Sequence, residues 1–201
     1  MLATASARKG ADNMEKTLER TASAGKTRLL VTAALFAALG CVSTTVIKVP
    51  SPTGGYMNLG DAAVLLGAYF LGPAYGALAG GVGPALADLL GGYPVYVPGT
   101  LVIKAVTAVT AGLLYRLLRG RGAPGVIACG AAGEAVMVLG YWLYDALLVS
   151  SGGTAFKTAL AGAAAGIPGN LAQAGFGAAA STLLLAALRR SGYVRREFPN
   201  L

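Results

Sequence analysis

The chain has 201 residues, 55% of them hydrophobic and 12% charged, with a net charge of +8 and a mean hydropathy of +0.64. Soluble domains carry about 25% charged residues, so this balance excludes an ordinary water-soluble fold and points to one membrane domain. The positive charge does not read as nucleic-acid binding. Lys and Arg gather in Arg8–Arg28, Arg116–Arg121 and Arg189–Arg196, beside apolar runs and without interleaved aromatics, as the positive-inside rule expects.

Residues 1–25 are polar and mixed in charge and read as a cytoplasmic tail, with a helix expected over Met14–Arg20. Gly25-Lys26-Thr27 resembles the end of a phosphate-binding loop, but Arg20 stands where its first glycine is needed. Leu29–Ile47 is the first apolar span. It carries Ala33, Ala34, Ala37 and Ala38, two overlapping small-xxx-small pairs suited to close helix packing, either inside the bundle or against another membrane protein. Ala38-Leu39-Gly40-Cys41 resembles a lipidation box only with its leucine displaced. Cys41 and Cys129 both lie in apolar runs and read as small core residues, not a disulfide. With no histidine and no cysteine pair at ligand spacing, neither a metal nor a cofactor is expected.

Pro50–Asp61 and Gly91–Thr100 are Gly/Pro-rich loops with tyrosines, Tyr56 in the first and Tyr93 and Tyr96 in the second. Between them, Asp61–Leu90 reads as two helices broken at Gly72-Pro73, since proline ends or kinks a helix. Charge arbitrates: Arg8–Arg28 and Arg116–Arg121 share a side only if an even number of spans separates them. The first of the two, Asp61–Leu71, is too short to cross about 30 Å of hydrocarbon and must be buried among neighbours or extend past Pro73. Thr100–Leu118 is the fourth span and Val126–Val149 the fifth. Ser150–Lys157 reads as a loop, Thr158–Gly166 as a short or re-entrant helix, and the last span opens at Ile167-Pro168 and ends at Arg189-Arg190. The expected fold is therefore all-α: a polytopic six-helix transmembrane bundle over residues 26–192, with a cytoplasmic C-terminal tail over 193–201 and both termini cytoplasmic.

Ionisable residues inside a membrane are functional-site candidates by default. Asp61, Asp88 and Lys104 bracket the two loops, and Glu134, Tyr141 and Asp145 form one stripe of the fifth span beside Trp142 and Tyr144. Thr100, Lys104 and Thr107 share a face of the fourth span, and Asn170 and Gln173 share a face of the last. Converging beneath the outer loops, these would make a small-molecule pocket with aromatic walls. The bland alternatives are interfacial anchoring for the aromatics and a neutralising pair of Lys104 with Asp88 or Glu134. Acids outnumber Lys104 and no arginine lies on the outer half. Phosphate sites favour arginine forks, so a non-phosphorylated, uncharged or weakly basic planar heterocycle is expected.

The run TGGYMNLGDAAVLLGAYFLGP, then GALAGGVGPALADLLGGYPVYVPGTLVIK and later IPGNLAQAGFG resembles the substrate-binding S components of energy-coupling factor (ECF) transporters, of the riboflavin or hydroxymethylpyrimidine type. The resemblance covers about Leu29–Arg190. It implies a vitamin or vitamin-precursor site near the outer face of a cell-membrane protein. Its partners would be a transmembrane T component and two ATPases. It also implies a docking face on the first helix, here Ala33 with Ala37 and Ala34 with Ala38. The ligand positions carried over are Tyr56, Asn58, Lys104, Glu134, Trp142, Asn170 and Gln173. The basic tail before Arg28 departs from the short family pattern. Two other functions compete: a membrane-embedded enzyme using Asp88 and Glu134 as acid and base, and a structural membrane partner. Neither a nucleophile–base–orienter set nor a metal cluster supports the first, and the second leaves the buried charges unexplained.

Overall fold

The computed structural model describes residues 25–46, 48–198 and 201; the helix expected over Met14–Arg20 lies outside them. The chain divides into two units, residues 1–32 and 33–201. The described part of the first is the opening of helix α1 (Gly25–Val46). In the second follow strands β1 (Lys48–Pro50) and β2 (Tyr56–Asn58), then α2 (Asp61–Leu90) and α3 (Val97–Leu118). A short 3₁₀ turn over Arg119–Arg121 leads to α4 (Gly122–Ser151), α5 (Phe156–Ala163), α6 (Ile167–Leu188) and the terminal α7 (Gly192–Glu197).

The helical membrane architecture stands, with corrections of detail. Among the described residues five long helices, α1, α2, α3, α4 and α6, have 22 to 30 residues each, where six spans are expected. The difference lies in α2, whose interior is interrupted at Gly72, with φ 75° and ψ 179°. Only glycine adopts that conformation at no steric cost, and Pro73 follows it. Gly76 approaches the backbone of Ala68, where an added Cβ would lie 2.7 Å from the Ala68 Cα, and at Gly80 one would lie 3.0 Å from Val64 Cγ1. On a straight helix those partners stand eight and sixteen residues apart, roughly 12 and 24 Å. The two halves of α2 are therefore folded back on each other about Gly72.

Asp61–Leu71, the short half, is the core of the bundle. Every residue from Asp61 to Tyr69 is buried. Phe36 of α1 meets it at Gly67, Leu65 meets α4 at Gly133, and Asp61 meets α6 at Gly177. Val64, Leu65, Ala68 and Tyr69 join Ala108, Ala111 and Tyr115 of α3 and Val126 and Cys129 of α4 in the main apolar cluster. Its shortness follows from where it starts. Asp61 pairs with Lys104, seven residues into α3 and so about 10 Å from that helix's first turn.

The all-α architecture carries one small β element. Lys48–Pro50 and Tyr56–Asn58 form an antiparallel hairpin in the register Lys48↔Asn58, Val49↔Met57 and Pro50↔Tyr56. Its turn is closed by Ser51 N–H donating to Gly55 O at 2.9 Å. Ser150 and Ser151, expected in a loop, finish α4, and the break falls at Gly152-Gly153. The alanines of α1 divide. Ala33 is buried and Ala37 is partly covered, because α2 presents Gly83 there and its backbone approaches that of Ala37; Ala34 and Ala38 are exposed.

Candidate functional site

The hairpin lies over a cavity lined by Ser51, Thr53, Gly55, Tyr56, Asn58, Asp88, Tyr96, Thr100, Tyr141, Asp145, Asn170 and Gln173. Seven of the twelve residues singled out from the sequence are in that lining: Tyr56, Asn58, Asp88, Tyr96, Tyr141, Asn170 and Gln173. They come from β2, the end of α2, the residue before α3, α4 and α6, so no single element makes the site.

The floor is a hydrogen-bonded layer. Gln173 Oε1 accepts from Asn58 N–H at 2.7 Å and its Nε2 donates to Asp61 Oδ2 at 2.6 Å. The donor and acceptor ends of the amide are thereby both used. Asn58 Oδ1 in turn accepts from Gly60 N–H at 2.9 Å, which ties the hairpin to the start of α2. Below the amide, the other carboxylate oxygen of Asp61 pairs with Lys104 Nζ, and Lys104 also lies 5.3 Å from the Tyr141 ring centroid. Lys104 therefore pairs with Asp61, not with Asp88 or Glu134. Starting α2 at depth brings Asp61 level with Lys104, a placement the helix spacing alone does not show.

Two walls repeat one motif, a tyrosine hydroxyl on a buried aspartate. Tyr56 donates to Asp88 Oδ1 at 2.5 Å, and Tyr96 donates to Asp145 Oδ1 at 3.1 Å. Burial, then the adjoining Asp88 carboxylate, raises the Tyr56 hydroxyl well above its ordinary value. Tyr96 is raised in the same way, by burial first and then by Asp145. Both phenols therefore stay protonated donors. A third wall is the 2.9 Å contact between the hydroxyls of Thr100 and Tyr141. Above, Tyr93 packs 4.7 Å from Tyr56 and 6.5 Å from Tyr96, centroid to centroid, as part of the roof.

Five of the singled-out residues are outside the lining. Asp61 and Lys104 lie beneath it and Tyr93 above it. Trp142 is turned away: its indole N–H donates to Leu160 O at 2.9 Å and the ring packs with Ala146, Ala159 and Ala163. The short helix α5 supplies that surface, which a helical stripe on α4 does not reveal. Glu134 is 2% exposed, and neither carboxylate oxygen has a hydrogen-bond partner. It sits beside Gly177 and borders an apolar groove between α4 and α6, lined by Val138, Leu139, Leu171 and Ala174 among others. Asp145 and Thr100, which the helical stripes of α4 and α3 direct toward the pocket, also line it. Ser51 and Thr53 gave no signal in the sequence, since only the hairpin brings them over the cavity.

A family model described as ECF-type riboflavin transporter, S component, matches residues 24–190. An uncharacterised protein of the gap 3' region from Pyrococcus woesei is 41% identical over 114 residues, covering 56% of this chain and 74% of that protein. A solved structure, the S component of a bacterial ECF transporter, superposes with a TM-score of 0.58 over 82% of this chain and 96% of that one. At 22% identity that likeness speaks to the fold.

Proposed function

We infer the function from one premise: this chain belongs to the family of ECF-type riboflavin transporter S components. It is the substrate-binding membrane subunit of an ECF-type importer, and not an enzyme. We propose that the cavity under the hairpin is its substrate site and takes a planar, non-phosphorylated heterocycle of the vitamin or vitamin-precursor class. The observation that carries this is the convergence of Tyr56, Asn58, Asp88, Tyr96, Tyr141, Asn170 and Gln173, from five places in the chain, on one cavity. Aromatic walls with a few placed polar groups suit such a ligand.

The two halves of α2, folded about Gly72, act in this reading as two of six spans. That leaves an even number between the basic runs. The end bearing Arg116, Arg119 and Arg189 then faces the cytoplasm, as do both termini, and the cavity opens near the outer face. Transport requires a T component and two ATPases, with Ala34 and Ala38 on the outward side of α1 as the docking contact.

The test is twofold. Detergent-purified protein is melted with and without riboflavin, pyridoxine and 4-amino-5-hydroxymethyl-2-methylpyrimidine, and its co-purified small molecules are identified by mass spectrometry. Stabilisation by a heterocycle of this class, and uptake into vesicles only when T component and ATPases are present, is the expected result. Uptake by the subunit alone, or ATP hydrolysis by it, sinks the reading.

A further inference from the structure

We propose that the ligand of this cavity is cationic when bound: a flat heterocycle with a protonated or quaternary nitrogen, held between Asp88 and Asp145. The inference rests on the reading that this cavity is the substrate site. Both aspartates line it, at 4% and 5% exposure. Each has one oxygen occupied by a tyrosine hydroxyl, Tyr56 on Asp88 and Tyr96 on Asp145. A neutral phenol satisfies a lone pair and leaves the charge in place. Asp88 Oδ2 is buried and has no hydrogen-bond partner among the described residues.

Among the described residues no lysine or arginine lines the cavity. Lys104 is one layer down and its charge is taken by Asp61. Lys48 lies over the Tyr56 and Tyr93 rings, 4.6 and 5.5 Å from their centroids, at the roof. Counting Lys48 with the two aspartates still leaves the site one positive charge short. A buried carboxylate without a compensating donor or charge is costly. A ligand N–H⁺ supplies both at once, in the stronger, charge-assisted form of hydrogen bond. The Tyr96 ring adds a cation–π surface beside it, while the Tyr56 and Tyr141 rings already face Lys48 and Lys104. A neutral ring satisfies the lone pairs at best and leaves the charge.

The test compares ligands on the unmodified protein in detergent, by titration calorimetry at low ionic strength and neutral pH. The pairs are pyridoxamine against pyridoxine, 4-amino-5-hydroxymethyl-2-methylpyrimidine against its 4-oxo counterpart, and thiamine against riboflavin. The expected result is that the basic or cationic member of at least one pair binds tenfold or more tighter than its neutral partner. Asp88→Asn, or Asp145→Asn should the first not fold, removes that preference. Binding of neutral members as tightly or more tightly overturns the inference, as does a preference that survives in folded Asn variants. Neutral ligands whose binding the Asn variants still weaken leave the cavity as the substrate site, whereas binding that both folded Asn variants leave unaltered removes the site reading as well. Binding by none of the six removes the site reading itself, and this inference with it.

Discussion

Lys104 of α3 and Asp61 at the start of α2 form an ion pair in which each side chain is 1% exposed. Gln173 completes the arrangement by donating to the second Asp61 oxygen. Removing one partner strands a buried charge, which costs about 3–5 kcal/mol, whereas replacing both by apolar residues is often neutral. Lys104→Met is therefore expected to lower the melting temperature of the unliganded protein sharply, and Asp61→Leu with Lys104→Met to recover much of the loss. A double-mutant cycle in detergent measures this. Additive losses would show that the two charges do not depend on each other.

The alanines of α1 give opposite outcomes. At Ala37 the α2 backbone is close, so Ala37→Leu overpacks the contact and is expected to cost about 1–3 kcal/mol. Ala38 is exposed, and Ala38→Leu is expected to leave the melting of the isolated subunit within about 0.5 kcal/mol while reducing co-purification with the T component. Equal destabilisation by both would place Ala38 in the internal packing.

Trp142 and Gln173 separate stability from binding. Trp142→Phe loses the hydrogen bond to the Leu160 carbonyl, a loss of about 1 kcal/mol, and is expected to keep the ligand-induced shift in melting. Gln173→Ala unpairs Asn58 N–H and Asp61 Oδ2 in the cavity floor and is expected to shrink that shift. A reduced shift in Trp142→Phe would return the indole to the site.

The Tyr56 hydroxyl sets an alkaline limit. Burial and Asp88 raise it above the value of about 10 that it has in an unfolded chain. Above pH ~10 the unfolded state loses a proton that the folded state keeps, so stability is full below that pH and falls as pH rises. Melting temperatures between pH 8 and 11.5 are expected to decline at the top of the range, and less steeply in Tyr56→Phe. An unchanged slope in that variant would assign the decline to other groups.

Much of this was legible in the residues. Apolar runs between basic clusters mark the helices, and Gly72-Pro73 marks the break in α2. Helical stripes select Tyr141, Asn170 and Gln173, because a side chain's bearing on a regular helix follows from its position. The partners of those side chains do not follow from it. Lys104 finds Asp61 because of the depth at which α2 begins, and Trp142 finds α5 because a short helix fills the flank there. The hairpin was unreadable because Lys48–Pro50 and Tyr56–Asn58 are three residues each, too few for an alternating pattern to be told from a loop.

Glu134 turns these contrasts into a chemical handle. Its carboxyl lies against the polar floor at Asp61, yet the groove that reaches it between α4 and α6 is walled by leucine, valine and alanine. A reagent dissolved in lipid and one dissolved in water therefore approach it by different roads. A hydrophobic carbodiimide is expected to modify Glu134 in proteoliposomes, and a membrane-impermeant, water-soluble one to spare it. Glu134→Gln should abolish the adduct in a peptide map. Labelling then becomes a gauge of how tightly α4 and α6 close, readable in the membrane during a transport cycle.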